Sequence, residues 1–168
     1  MSIKQSASLP LGSAPPEADE AGFQAWMTVV HAFSLVSKTL DRELIDAHGV
    51  SLAWFEVLAR LHRRPEGRLR MQELSQSLVV SKASVTKLID RMELAGLVRR
   101  QTATDDRRVT YAVITDTGRI TLAAALPTQI GNIRRHFAQF LSEEELNTLR
   151  ALLEKVVSGQ ATLGGQSG

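Results

Sequence analysis

The chain has 168 residues, 43% of them apolar and 23% charged, with no cysteine and a formal net charge of +2. That length and balance suit a globular protein able to bury its own core and exclude disordered and fibrous classes. The absence of cysteine excludes disulfides, thiolate catalysis and a thiol-based oxidation sensor, and fits a reducing compartment.

Residues 1–22 carry Pro10, Pro15 and Pro16 among several Ser and Ala, so they are expected to form an extended arm. This stretch lacks the apolar middle of a secretory signal, and no apolar run reaches membrane-spanning length, so a cytoplasmic location is expected. From Phe23, apolar residues recur at three- and four-residue steps (Trp26, Val30, Phe33, Leu40, Leu44), which predicts a helix that stops at His48-Gly49. Ser51 caps a second helix with Leu52, Phe55, Leu58 and Leu61 on one face, ending before Pro65. A short third helix spans roughly Met71 to Leu78. Ser81 caps a fourth, which runs to about Ala95 and turns Val85, Leu88, Ile89 and Met92 inward.

After Gly96 the period changes. Leu97–Gln101 and Val109–Ile114 are short and rich in branched or aromatic residues, and they flank a polar tip, Thr104 to Arg108, so they read as a β-hairpin. A fifth helix is expected from Asp116 to Phe140, bent at Pro127. Ser142 and Glu145 make a capping box that opens a sixth, carrying Leu146, Leu149, Leu153 and Val156. The Gly- and Ser-rich residues 158–168 are expected to form a mobile tail. The fold class is therefore mainly α with a small β-hairpin wing.

Charge is unevenly spread. Between Arg68 and Tyr111 nine Lys and Arg face five acids, a surplus of four positive charges, so the rest of the chain carries about −2. A basic middle segment in an otherwise acidic chain is what polyanionic phosphate calls for. A short helix, a turn and a longer capped helix form a helix-turn-helix, whose second helix fits the major groove. On the fourth helix Lys82, Ser84, Thr86, Lys87 and Arg91 project away from the apolar stripe and can donate to phosphates or base edges. Arg107 and Arg108 sit on a thin β tip suited to the minor groove, with Asp106 placed to orient Arg108 through a charge-assisted hydrogen bond. Taken singly, an amphipathic basic helix is usually a surface helix and a charged tip usually a solubility device. Their order and spacing over about 45 residues argue for DNA binding.

The run LRMQELSQSLVVSKASVTKLIDRMELAGLVRRQTATDDRRVTYAVITDTG closely resembles the winged-helix core of the multiple-antibiotic-resistance regulator (MarR) family. SKASVTKLIDRMELAGLV resembles the recognition helix and its exit, DDRR the wing, VITDTG the entry to the next helix, and GVSLAWFEVLARL the second helix. The likeness covers roughly residues 23 to 157. It implies a winged helix-turn-helix lobe at 51–115, dimerisation helices at 23–50 and 116–157, a homodimer and a palindromic operator. It carries DNA-contact roles to Ser84, Thr86, Lys87, Arg91 and Arg108, with Asp106 as orienting partner, and more weakly to Lys82 and Arg107. It makes a repressor the default over an activator. Where the family commonly has glycine between the two reading helices, this chain has Val79, so a different route for the turn is expected.

The resemblance further implies a small effector, phenolic or otherwise aromatic, in a cleft whose helices here carry Trp26, His31, Trp54 and His62. Each of these four is more ordinarily a core or boundary residue. The large apolar faces of the first and last helices favour a second copy, although they could also close on each other within one chain. No cofactor is expected. The four histidines form no close pair in sequence, which disfavours a metal sensor. No nucleophile elbow, phosphate-cradling glycine loop, HExxH or paired catalytic carboxylates occur, so an enzyme is not expected. The alternatives are a winged-helix module that binds protein, or a DNA-binding protein that answers to no ligand.

Overall fold

The computed structural model describes residues 17–78, 82–104 and 106–164, and leaves out the side chains of residues 17–19, 82, 83 and 164. Helix α1 spans Glu17–His48, α2 Leu52–His62, α3 Met71–Ser77, α4 Lys82–Leu94, α5 Asp116–His136 and α6 Glu143–Gly164. Strands β1 (Arg68–Arg70), β2 (Val98–Thr102) and β3 (Thr110–Ile114) form one antiparallel sheet in the order β1-β3-β2, and a 3-10 turn at Ala138–Phe140 follows α5. None of the described helices is long and apolar enough to cross a membrane.

Contacts divide the chain at Leu35–Val36, inside α1. In residues 17–35, Phe23, Trp26, Val30 and Phe33 recur at helical spacing and stand exposed, Trp26 and Phe33 each at 63%. From residue 36 onward a core forms where the remaining apolar stripes meet. Leu40 and Leu44 of α1 are buried, as are Phe55, Val57, Leu58 and Leu61 of α2, and Leu74 of α3. Val85, Ile89 and Met92 of α4 join Ala112 and Ile114 of β3 in the same interior. Ser51 caps α2 by accepting from the Trp54 amide at 3.2 Å, while the Leu52 amide donates to Asp41 Oδ1 at 2.8 Å and ties α2 to the C-terminal half of α1.

The sheet meets α5 at a close crossing. Thr115 caps α5 by accepting from the Gly118 amide at 3.0 Å, and its hydroxyl donates back to the Gly96 carbonyl at 2.7 Å. A Cβ at Gly118 would collide with the Leu97 carbonyl oxygen and crowd Ile114 Cγ1 at 3.0 Å and Leu58 Cδ2 at 3.1 Å. Glycine is needed there for close approach, since it lies within a helix. At Gly67, before β1, both reasons apply: its φ is +63° and a side chain would strike the Arg119 guanidinium.

Four expectations about the elements need correction. Helix α1 begins at Glu17, so the expected arm of 1–22 gives up its last six residues. The expected tail is helical to Gly164, past Ser158 and Gly159. Two weak helix formers cost about 1 kcal/mol or less each, too little to end the helix there. Helix α5 stops at His136, four residues short of the expected Phe140, and tightens into the 3-10 turn. The wing has a third strand, β1, too short at three residues to show a period. The capping box at the start of α6 is present: the Ser142 amide donates to Glu145 Oε2 at 2.8 Å, and the Glu145 amide donates to Ser142 Oγ at 3.2 Å. These bonds to Ser142 hold the Glu145 carboxyl below its ordinary value. The expected cap Ser81 and the turn at Val79 lie outside the described residues.

The α5 crossing yields a paired prediction. Gly118→Ala should lower stability by about 1–3 kcal/mol through overpacking. Gly131→Ala, on the same helix with nothing within 4 Å of an added Cβ, should be neutral or stabilising by up to about 1 kcal/mol. Thermal unfolding of the two variants against the parent chain checks the contrast.

Candidate nucleic-acid interface

Helix α4 is two-sided because its apolar residues recur at three- and four-residue steps. Val85, Ile89 and Met92 are buried in the core, and Ser84, Thr86, Lys87 and Arg91 are all exposed. At 100° per residue the exposed side divides again. Ser84, Lys87 and Arg91 make one row, and Thr86, Asp90 and Glu93 make another on the flank toward the wing. Lys82 opens α4, and its side chain lies outside what the structure describes.

Strands β2 and β3 carry the wing tip beyond Thr102 and Thr110. The Ala103 amide donates to the Val109 carbonyl and the Val109 amide to the Asp106 carbonyl, each at 2.9 Å. Arg107 and Arg108 are exposed on this turn. Asp106 Oδ1 accepts from the Arg108 main-chain amide at 2.9 Å. The carboxylate thereby shapes the backbone turn that carries the Arg108 side chain.

The residue that joins the two halves is Arg100 on β2. Its amide donates to Glu93 Oε1 at 2.7 Å, and its guanidinium reaches Glu93 Oε2 at 2.9 Å, Asp90 Oδ1 at 2.6 Å and the Thr86 carbonyl at 3.3 Å. One side chain thus spans the wing-side flank of α4 over two turns and ties it to the strand that leads to the tip. In the sequence Arg100 counts only as a positive charge. The signal for its role is the pair of acids at Asp90 and Glu93, three apart on the flank of α4 toward the wing. Above this clamp lies a cleft of about 490 Å³, lined by Arg70, Thr86, Asp90, Arg100, Arg108 and Thr110 among others.

The four residues singled out for an effector have varied surroundings. Trp54 is half-buried and packs against the core, while His62 is exposed and lies 3.3 Å from Arg119 Nη1, with its Nδ1 as the acceptor. Both therefore already have structural partners. Trp26 and His31 stand exposed in the unit of residues 1–35.

Comparison with known proteins agrees with this architecture. The family model described as MarR family matches residues 48–109. The transcriptional regulator PecS of Dickeya dadantii is 32% identical over 134 residues, covering 77% of this chain and 80% of its own. The transcriptional repressor MdtR of Bacillus subtilis is 31% identical over 120 residues, 71% of this chain and 76% of that one. Among solved structures, the MarR-family regulator Sco3205 of Streptomyces coelicolor, crystallised in complex with DNA, superimposes with a TM-score of 0.75 at 27% identity, covering 81% of this chain and 85% of the other. The relatives are regulators, which sets an enzymatic role aside. With a winged lobe that carries an exposed basic row, a double-arginine tip and a clamp between them, and with relatives of this identity and coverage, the chain belongs to the MarR family of DNA-binding transcriptional regulators.

Proposed function

We propose that this chain is a homodimeric repressor of a palindromic operator, with α4 in the major groove, Arg108 in the adjacent minor groove, and occupancy modulated by a small aromatic or phenolic effector. The observation that carries the reading is the Arg100 clamp, which holds two separate cationic surfaces, the Ser84–Lys87–Arg91 row and the Arg107–Arg108 tip, on one lobe. A solvated surface helix needs no such tie to a wing. Lys87 and Arg91 suit guanine acceptors in the major groove, and an arginine on a narrow β tip suits the negative potential of an A·T-rich minor groove. Thr86 and Ser84 add short donors for phosphate or base edges. Arg107 extends the tip, and the family resemblance gives Lys82 a weaker DNA-contact role.

A second copy is favoured by the apolar faces that meet solvent at both ends of the chain. Phe23, Trp26 and Phe33 are exposed in the N-terminal unit, and Leu152, Leu153, Val156 and Val157 are exposed on α6. Large apolar side chains left exposed along a helix face suit a partner surface, and a two-fold axis supplies the same partner twice. The symmetry then calls for two half-sites about 10 bp apart, centre to centre. Repression follows the likeness to the repressor MdtR and the physics of occupancy at a promoter. Effector control rests on the family resemblance, with Trp26, His31, Trp54 and His62 as candidate ligand-binding residues. It acts as a population shift between spacings of the two reading heads.

Lys87→Ala should weaken binding of a duplex selected from random DNA by about 5- to 150-fold and relax base preference at one position per half-site. Arg108→Ala should cost a comparable factor without changing major-groove preference. Fluorescence anisotropy across a salt series measures both, and full affinity in the double variant would refute the assigned DNA roles. For the dimer, Phe33→Glu should shift the chain toward monomer in analytical ultracentrifugation while leaving helical content intact. A dimer of unchanged stability would remove residues 17–35 from the subunit interface. Titrating aromatic acids into the wild-type complex tests the effector, and release of DNA that Trp26→Ala or Trp54→Ala abolishes would support it.

A further inference from the structure

The wing sheet has a second face that neither the major-groove nor the minor-groove role uses. On the inner side, Leu69 and Ala112 pair across β1 and β3 and are buried, and Arg100, opposite Ala112 on β2, turns to α4. Side chains alternate along a strand, so the neighbours of these residues share the outer side. The register there makes two rows across three strands: Arg68 and Arg99 on either side of the buried Val113, then Arg70, Tyr111 and Gln101. Arg99 is exposed and donates to Gln101 Oε1 at 3.2 Å. The Arg68 guanidinium lies 4.6 Å from the centre of the Tyr111 ring and is ion-paired with Glu66. Arg64, exposed in the loop before β1, joins Arg68 and Tyr111 in a shallow cleft of about 270 Å³.

We propose that this outer face is a second DNA-backbone surface, which grips the duplex flanking each half-site. The inference rests on the reading that Arg108 enters the minor groove. Three features commit it to DNA. Among the described residues the face carries Arg64, Arg68 and Arg99 against Glu66 and Glu73, a surplus of positive charge. Arg68 is held by stacking and by its ion pair, so it loses little freedom when it meets a phosphate. Arg68 and Arg99 flank Val113, five residues and so about 17 Å along the strand from Arg108, which puts their long side chains within reach of a duplex held at the tip. Adjacent strands lie about 4.8 Å apart, which sets Arg68 and Arg99 roughly 10 Å from each other across β3. The face thus presents separate cations to separate phosphates, and such backbone interactions add affinity and position without sequence preference.

The test uses the full chain and a duplex it selects from random DNA, prepared trimmed to the two half-sites and extended by about 10 bp, one helical turn, at each end. Fluorescence anisotropy should show that extension tightens wild-type binding about tenfold or more. The double variant Arg68→Ala/Arg99→Ala should bind the trimmed duplex as wild type does and gain nothing from extension. Its salt slope on the extended duplex should be shallower by about 0.9 for each phosphate the variant no longer neutralises. Arg99→Glu alone keeps the Arg68–Tyr111 stack and should lose the same gain at an unchanged unfolding midpoint. The inference is overturned if extension does not tighten wild-type binding, or if both variants keep the full gain. It is likewise overturned if the face instead binds a polyglutamate peptide that the double variant fails to bind, with no effect of duplex length. Failure of the wild-type chain to bind the trimmed duplex would instead strike the proposed repressor function itself.

Discussion

Arg100 is the residue on which the proposed DNA-reading arrangement turns. A helix-turn-helix needs only its recognition helix anchored to a core, and Val85, Ile89 and Met92 do that for α4. A wing needs only a hairpin. For the two to address neighbouring grooves at once, the angle between them must be held, and the core alone leaves the wing-side flank of α4 polar. The Arg100 side chain is 28% exposed, and Asp90 and Glu93 are 50% and 38% exposed, so each ion pair alone is worth little. Their value lies in geometry: one planar guanidinium and its own amide engage two carboxylates and a main-chain carbonyl, which fixes direction as well as distance.

The same logic of held angles runs through the lobe. Thr115 caps α5 while bonding back to the exit from α4, and Gly118 lets α5 cross the entry to β2 at backbone contact. The stretch VITDTG therefore has a physical content. It ends a strand, caps a helix and clears a crossing within six residues. Asp106 does similar work at the tip, where its carboxylate shapes the turn that presents Arg108. Rigid presentation matters because each rotamer frozen on binding subtracts from affinity.

Much of this is legible in the sequence, for reasons that can be named. Helices α2 and α4 show strong three- and four-residue periods bounded by a cap or a glycine, and β2 and β3 are branched runs around a charged turn. The sequence is less informative where the signal is short or compositional. Strand β1 spans three residues, and its partner β3 lies more than forty positions away. At the ends of α1 and α6, nearby Pro, Ser and Gly lower the local helix signal, yet both helices run longer than composition suggests. The function of Arg100 depends on two acids on the opposite element, so a count of charges records the cation and misses the clamp. Trp54 and His62 stand out in the sequence only by the helix they share, and the structure gives both of them other partners.

The most direct test of the central claim is a hydroxyl-radical footprint of Arg100→Ala beside the wild-type chain on the selected duplex. With Arg100 in place, protection should fall in two regions per half-site, one from α4 and one from the wing tip in the flanking minor groove. With the clamp removed, the α4 protection should persist at saturating protein while the minor-groove protection fades, although Arg108 itself is unchanged. A variant that keeps both protections at wild-type affinity would contradict the view that Arg100 holds the two surfaces in register.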